Sequence, residues 1–291
     1  MNEPTVGPPP GERDTWFAAP WDSPPYPAFP FEFRDVSVLS VVYRTDQDAI
    51  RRLLPAPLRS TSDLVVFHVY NMRDVNWAGQ INEANVMVGA EFDGVEGGYS
   101  PILFIDSESG LTHGREVHGQ PKRLASVETR LDQDLVVATI RRNGIDVATL
   151  TSSYKRERAD LAELKDYFDF ELNINLKLIP HITGQPAVRQ LTARRLTDLR
   201  VHECWRGPAT VELRPHATVP LHRLPVVETL AGYLWRADFT LVEGTVLHDY
   251  LEEGTGTPTP TGEPGTPLLV PPPRVQADRQ RSSTSRGAAS S

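Results

Sequence analysis

The sequence contains very little lysine and very little cysteine. Of its 30 basic residues only four are lysine, Lys122, Lys155, Lys165 and Lys177, and the other 26 are arginine. In so arginine-rich a chain, a lysine directly before an arginine, as at Lys122, indicates a need for an amine that can lose its proton, which arginine cannot. The alternative is an ordinary solvated Lys-Arg pair on a loop.

Several classes of protein are disfavoured by what the sequence lacks. A net charge of −8 argues against nucleic-acid binding, which depends on basic residues that neutralise phosphates. No run approaches the roughly 18 apolar residues of a membrane span. The single Cys204 excludes an internal disulfide, and there is no signal-peptide pattern, so we expect a cytoplasmic protein. His113 and His118 are five residues apart, off the usual helical metal spacing, so we expect neither metal nor cofactor.

Composition divides the chain into three parts. Residues 1–30 hold nine of the 26 prolines, which predicts an extended arm because proline fixes φ and removes amide donors. Residues 252–291 hold seven prolines and no aromatic residue, which predicts a disordered tail that cannot offset its ordering entropy. The remainder, residues 31–251, is long enough for one large domain.

The pattern within 31–251 is mainly that of short strands. Apolar alternation, broken by turn residues, predicts strands over 36–43, 64–72, 86–92, 99–105, 126–142, 145–150, 173–179, 191–201 and 209–213. Residues 231–246 are apolar and mixed in pattern and end the core. Asn143-Gly144 predicts a tight hairpin. Helices are expected over 46–54, with Thr45 as N-cap, and over 160–167, while 116–123 fits a helix or a loop. The pattern indicates one α+β, mainly β domain, a barrel or sandwich with peripheral helices.

A conspicuous motif lies in the middle of the chain. It consists of Gly114-Arg115-Glu116 followed by Gly119-x-Pro121-Lys122-Arg123-Leu124. This segment resembles the active-site segment of the acetoacetate decarboxylase family, in which the first lysine after proline forms a Schiff base. The resemblance extends over about residues 25–251, through segments at 42–46, 55–58, 201–208, 224–226 and 249–251.

The resemblance implies a fold and a set of site residues. The fold is a cone-like antiparallel β-barrel with peripheral helices, in a homo-oligomeric enzyme without a cofactor. The implied catalytic residues are Lys122, Arg123, Glu83, Gln120 and Tyr250, with Tyr233 in reserve for Tyr250. His68, Arg34, Arg115 and Glu116 are the expected substrate-binding residues. The family's lysine is kept neutral beside another cation, so Arg123 is expected to lower the pKa of Lys122.

Some positions depart from the decarboxylases of the family. Val36 stands where they have an arginine, for which Arg34 on the same strand face is a partial replacement. His68 stands where they have a second glutamate, and Gln120 replaces a bulkier residue. His68 is an acid-base candidate or simply a packed strand histidine. Tyr250 is a proton donor or a core tyrosine.

These departures favour aldol condensation of pyruvate with an aldehyde, followed by dehydration, as in the aldolase-dehydratase branch of the superfamily. An amide at 120 can orient a water or hydroxyl, and a phenol can deliver the proton for dehydration. Decarboxylation of acetoacetate or another 3-oxo acid is the first alternative. A barrel that binds a small acid without turnover is the second.

The scarcity of lysine gives a direct test of the nucleophile. Borohydride reduction in the presence of pyruvate is expected to add one adduct mass to the peptide that contains Lys122, because only a neutral amine forms an imine. Peptide mass mapping measures the position. Labelling at Lys155, Lys165 or Lys177 instead would contradict the assignment.

Overall fold

A computed structural model describes residues 18–252. The strands in this range are β1 Phe31–Arg44, β2 Arg59–Val75, β3 Gly79–Phe92, β4 Val95–Ile105, β5 Lys122–Leu124, β6 Ser126–Asp132, β7 Leu135–Arg142, β8 Ile145–Ser153, β9 Glu157–Arg158, β10 Leu172–Pro180, β11 Pro186–Gly207, β12 Ala209–Leu213, β13 Glu228–Leu241 and β14 Thr245–Asp249. The short helices are α1 Gln47–Leu53, α2 Glu108–His113 and α3 Ala162–Lys165. Gly114–His118 continues α2 as a π-helical turn, and Leu221–Arg223 forms a 3-10 turn.

The larger sheet closes on itself. Its strands run in the order β10-β11-β13-β1-β2-β3-β4-β5, with β9 and β14 paired to β11. An additional parallel pairing of β10 with β4, at Asn173 and Gly98, completes the ring. The strands are mostly antiparallel, but β5 pairs with β4 in parallel because the α2 segment carries the chain back along the sheet.

Both faces of the sheet are buried along much of β1 to β4, which explains the long apolar runs in these strands. Val41, Phe67 and Val86 face the second sheet, ordered β12-β8-β7-β6, and pack in one core with Ile140 and Leu150 from that sheet. A second core fills the other face, inside the ring. It contains Val36, Val38, Val66, Met87, Trp235 and, from around α3, Leu164, Phe168 and Phe170. The expected mainly β class with peripheral helices is therefore confirmed, in a sandwich-like arrangement.

Local details agree with the sequence patterns in part. Asn143 and Gly144 have φ values of 52° and 78°, as the predicted tight hairpin between β7 and β8 requires. The predicted cap of α1 is wrong, since the Asp46 side chain accepts the Asp48 amide while Thr45 is buried. An aspartate satisfies the free amides of a first turn as well as a threonine does.

The ends of the chain are described only in part. Tyr26 is buried before the start of β1, and the ring of Phe29 packs on that of Phe31 at 4.7 Å, so the end of the proline-rich arm lies on the domain. The rest of the predicted arm, residues 1–17, and the predicted tail from residue 253 lie outside the described residues. Within 18–252, no helix is long and apolar enough to cross a membrane.

Two glycines with similar backbones give a matched test of the loop that follows the π-helical turn. Gly119 and Gly144 have φ values of 75° and 78°. A Cβ at Gly119 would lie 2.5 Å from the Lys177 Cα, whereas nothing lies within 4 Å of one at Gly144. Gly144→Ala is expected to cost only the left-handed backbone strain of about 1–2 kcal/mol. Gly119→Ala is expected to cost more and to shift the segment that carries Lys122, which lowers the yield of borohydride trapping.

Urea unfolding and trapping at Lys122 measure the two effects. Equal losses of stability in both variants, with unchanged trapping, would show that β10 moves aside and that the close approach at Gly119 is not required.

Candidate active site

The amine of Lys122 lies inside the ring, at the first residue of β5. The side chain is 7% exposed. Its Nζ lies 2.8 Å from the Glu83 Oε2 and donates a hydrogen bond to the Gly110 carbonyl at 3.2 Å. Since β5 follows a tight turn at Gly119, the chain leaves the π-helical turn with this side chain directed into the sheet interior. The amine therefore faces a carboxylate in a dry environment.

Glu83 reaches Lys122 from the middle of β3. This strand lies between β2 and β4, where Glu83 pairs with Tyr70 on one side and Ile105 on the other. Glu83 is buried together with Asn85, the next residue on the same strand face. A carboxylate and an amine buried together are costly to separate, because either one alone would be an uncompensated polar group.

A cavity of about 50 Å³ surrounds the amine. This exceeds the roughly 10–15 Å³ that a water molecule needs, so the cavity can admit a small ligand. Its walls are mostly apolar, from Phe33, Met72, Trp77, Ile81, Ile105, Leu196, Phe239 and Leu241. The polar side chains that line it are Tyr70, Glu83, Asn85, His113, Gln120, Lys122 and Arg194.

Arg194 is the cation of this cavity, and sequence analysis missed it. It lies on β11, where Thr192, Arg194 and Leu196 alternate with Leu191 and Ala193, which face the other core. Its Nε is buried and has no hydrogen-bond partner within residues 18–252. The alternation of side chains along β11 was the signal in the sequence for this position. An arginine on the same strand face as Thr192 and Leu196 has to point into the ring.

The environment favours a neutral Lys122. Burial lowers the pKa of the amine most strongly, Glu83 acts in the opposite direction, and the positive charge of Arg194 lowers the pKa further. Burial disfavours the charged form because the low-dielectric interior replaces water. The neutral form is the one that attacks a carbonyl.

Gln120 joins the cavity through a polar network at its edge. Its Nε2 donates to the Asn173 Oδ1 at 3.4 Å, and Asn173 in turn donates to the Ser100 hydroxyl at 2.8 Å. The structure therefore brings Lys122, Glu83 and Gln120 of the predicted set together.

His113 forms a neutral part of the wall, and His118 packs behind it. Their rings are 5.0 Å apart, and the His113 ring packs on Phe31 at 4.5 Å. Burial lowers the pKa of His113 to about 3 and that of His118 to about 2. Residues 18–252 contain no group of three or more His, Cys, Asp or Glu side chains suited to a metal.

His68 lies behind the cavity rather than on it. Its Nδ1 is 2.8 Å from the Ser40 Oγ, which also accepts the Trp235 indole N–H at 2.8 Å. Its ring packs beside Tyr70, the residue that does line the cavity, and burial lowers the pKa of His68 to about 3. A neutral histidine in this position cannot contact the ligand directly, which differs from the expected substrate-binding role.

Arg34 and Tyr250 also lie elsewhere. Arg34 is exposed and forms ion pairs with Glu32 and Asp74, because the strand is irregular at Asp35, which has a φ of 51°. The Tyr250 hydroxyl donates to the Ala56 carbonyl on the outer surface. Its expected reserve, Tyr233, is buried but is not among the residues lining the cavity.

The remaining predicted residues face outward from the same segment. Arg123 follows Lys122 on β5, and successive residues of a strand point to opposite faces. Arg115 donates to the Lys122 carbonyl at 3.4 Å from outside, and Glu116 accepts a hydrogen bond from the Tyr26 hydroxyl at 2.7 Å. The expectation that Arg123 perturbs the amine is thus corrected in favour of Arg194, which acts from across the cavity.

Comparison with known proteins places this geometry in context. The family model of acetoacetate decarboxylase matches residues 16–251. Acetoacetate decarboxylase 2 of Mesorhizobium japonicum is 38% identical over 239 residues, which cover 82% of this chain and 91% of that protein. A solved acetoacetate decarboxylase structure is 35% identical, covers 82% of this chain and 98% of its own, and superposes with a TM-score of 0.78.

A more distant structure shares the fold alone. It is an enduracididine biosynthesis enzyme complexed with the condensation product of pyruvate and imidazole 4-carboxaldehyde. It is 19% identical, covers 80% of this chain and 97% of its own, and has a TM-score of 0.68.

The two candidate cations can be separated by paired substitutions. Arg194→Gln removes the charge that faces the cavity, so the pKa of Lys122 is expected to rise and less neutral amine is present at a given pH. Imine formation with acetone, trapped by cyanoborohydride, should then reach half-maximum at a higher pH. Arg123→Gln is expected to leave this midpoint unchanged.

Acetone is the probe because it has no carboxylate, so loss of a ligand contact with Arg194 does not enter the measurement. A midpoint that moves in Arg123→Gln and not in Arg194→Gln would restore the assignment based on sequence adjacency.

Proposed function

The chain belongs to the acetoacetate decarboxylase family and is a Schiff-base lyase, and we propose that it decarboxylates acetoacetate or a similarly short 3-oxo acid. The observation that carries this proposal is the Lys122 amine, 2.8 Å from Glu83, in a cavity that also contains Arg194. This combination supplies a nucleophile, a proton acceptor and a cation for the substrate carboxylate. Decarboxylation was the alternative in the sequence analysis, and the structure and the relatives now favour it.

The reaction begins with attack of the neutral Lys122 amine on the ketone carbon. The Glu83 carboxylate, which touches the amine, can accept a proton as the C–N bond forms and return it to the departing hydroxyl. With one further proton taken up from solvent, loss of water leaves a protonated imine. The electron pair of the C–C bond to the carboxylate then moves to the imine nitrogen, and carbon dioxide leaves.

The resulting enamine is neutral and takes up one proton from solvent at carbon, which is the proton consumed in the overall reaction. Water then adds to the new imine, which releases the ketone and restores the free amine. The apolar walls from Phe33, Ile105 and Phe239 restrict the access of water to the imine.

In this reaction Arg194 binds the substrate carboxylate. Its buried Nε lacks a partner among the described side chains, and a guanidinium is well suited to a carboxylate. Orientation of the carboxylate relative to the imine is the contribution an arginine makes, since the breaking bond has to be aligned with the electron sink.

Condensation of pyruvate with an aldehyde remains the second candidate, and one observation favours it. The Gln120 amide is at the cavity, where it could orient a water or hydroxyl. The predicted phenol is not there, because Tyr250 is bonded to the Ala56 carbonyl. The structure with a condensation product is related at the level of fold only.

A pair of assays on one preparation decides between the two reactions. We expect carbon dioxide release from acetoacetate, and no conjugated 2-oxo acid from pyruvate with an aromatic aldehyde. Lys122→Ala should abolish release, whereas Lys165→Ala, which removes a surface lysine paired with Glu171, should not change it. Arg194→Gln should lower kcat/KM for acetoacetate about 10–100-fold, as expected for loss of a hydrogen bond to a charged group.

The opposite outcome is equally clear. Formation of the conjugated product without carbon dioxide, and its loss in Gln120→Ala while Lys122 is still trapped by borohydride, would establish condensation instead.

A further inference from the structure

Three arginines on the outer side of the motif have no acidic partner. Arg115, Arg123 and Arg142 each lie more than 4 Å from any carboxylate of residues 18–252. Other exposed arginines, such as Arg51 and Arg130, pair with nearby aspartates. Burial lowers the pKa of Arg123 most strongly, and the nearby charges of Arg142 and Arg115 lower it further.

The main chain satisfies only part of this cluster. Arg115 donates to the Lys122 carbonyl, and Arg142 donates to the Leu124 carbonyl. The Nε of Arg142 is buried without a partner in the described part of the chain, and the Arg123 guanidinium forms no side-chain hydrogen bond with a described residue. Guanidinium groups that are close together and partly desolvated are stabilised by an anion.

A surface pocket separate from the catalytic cavity contains two of these arginines. It has a volume of about 310 Å³ and is lined by Arg115, Arg123 and the apolar side chains Ile102, Pro121, Leu221 and Leu224. Its size is at the lower end for small-molecule sites. Because Lys122 and Arg123 point to opposite faces of β5, this pocket lies on the back of the strand that carries the nucleophile.

We propose that this pocket binds a small amphipathic anion. Its carboxylate or phosphate group lies between the guanidinium groups of Arg115 and Arg123, and its short apolar chain lies on the proline and leucine side chains. Inorganic anions lack the second part and therefore bind more weakly. The proposal does not depend on which reaction Lys122 performs.

Calorimetry on the full chain tests the proposal once the catalytic cavity has been blocked. Reduction of the acetone imine fills the cavity at Lys122, so a ligand bound there is not counted. The probes are butyrate, butyl phosphate and inorganic phosphate. We expect one site per chain for either organic anion, at least tenfold tighter for butyl phosphate than for inorganic phosphate.

Substitutions then locate the site. Arg115→Gln and Arg123→Gln are each expected to weaken binding of butyl phosphate at least tenfold, whereas Arg51→Gln, which removes an exposed and paired arginine elsewhere, leaves it unchanged. Butyrate and butyl phosphate compared with each other distinguish a carboxylate site from a phosphate site.

Three results would overturn the proposal. The first is no binding of either organic anion to the blocked protein. The second is equal affinity for inorganic and butyl phosphate, which would make the cluster a simple charge patch. The third is a lower particle mass of Arg123→Gln in light scattering, combined with no binding of either organic anion. The cluster would then be a contact between copies of the chain.

Discussion

The arrangement of this protein depends on keeping one amine out of water. Lys122 is almost fully buried, and such a group is tolerated only when its neutral form is accessible or a partner compensates its charge. The structure does both, since the apolar walls lower the pKa and Glu83 remains within 2.8 Å. Closing the ring through β10 and β4 is what makes this possible, because an open sheet would leave the interior face, and with it the amine, accessible to solvent.

The positions of Arg123 and Arg194 show that residues adjacent in sequence can lie on opposite faces of a strand. Arg123 is adjacent to Lys122 in the chain, yet it is on the far side of β5, whereas Arg194 is 72 positions later and faces the same cavity. A charge acts on a pKa through the distance and the medium between the groups. Across a low-dielectric cavity Arg194 acts on the amine more strongly than a neighbour whose side chain lies in a solvent-accessible surface pocket.

Sequence reasoning reached the fold class and the tight hairpin at Asn143, because both depend on local pattern. It did not distinguish a helix from a loop over residues 116–123, where the structure has a π-helical turn followed by the strand β5. Lys122, Glu83 and Gln120 were identified through resemblance, and the structure brings them together. Arg194 was not identified, because its proximity to Lys122 depends on the pairing of distant strands, although the alternation in β11 indicates which face it occupies. His113, at the end of α2, was considered only as a metal ligand. The expected position of Tyr250 at the cavity differs from the observed one for a similar reason. A tyrosine just after β14 can point to the cavity or to the surface, and the sequence alone does not decide between them.

Val36 and His68 together reduce the number of charged groups that face the ring interior. Resemblance leads one to expect an arginine and a second carboxylate at these positions, both facing the ring interior. Here Val36 is apolar and fully buried, and His68 is neutral because burial lowers its pKa to about 3. Relative to that expectation, one positive and one negative charge are absent, and the charge of Arg194 on β11 faces the cavity. Among residues 18–252, Glu83 is the one carboxylate that lines the cavity, so the neutral form of the Lys122 amine is favoured.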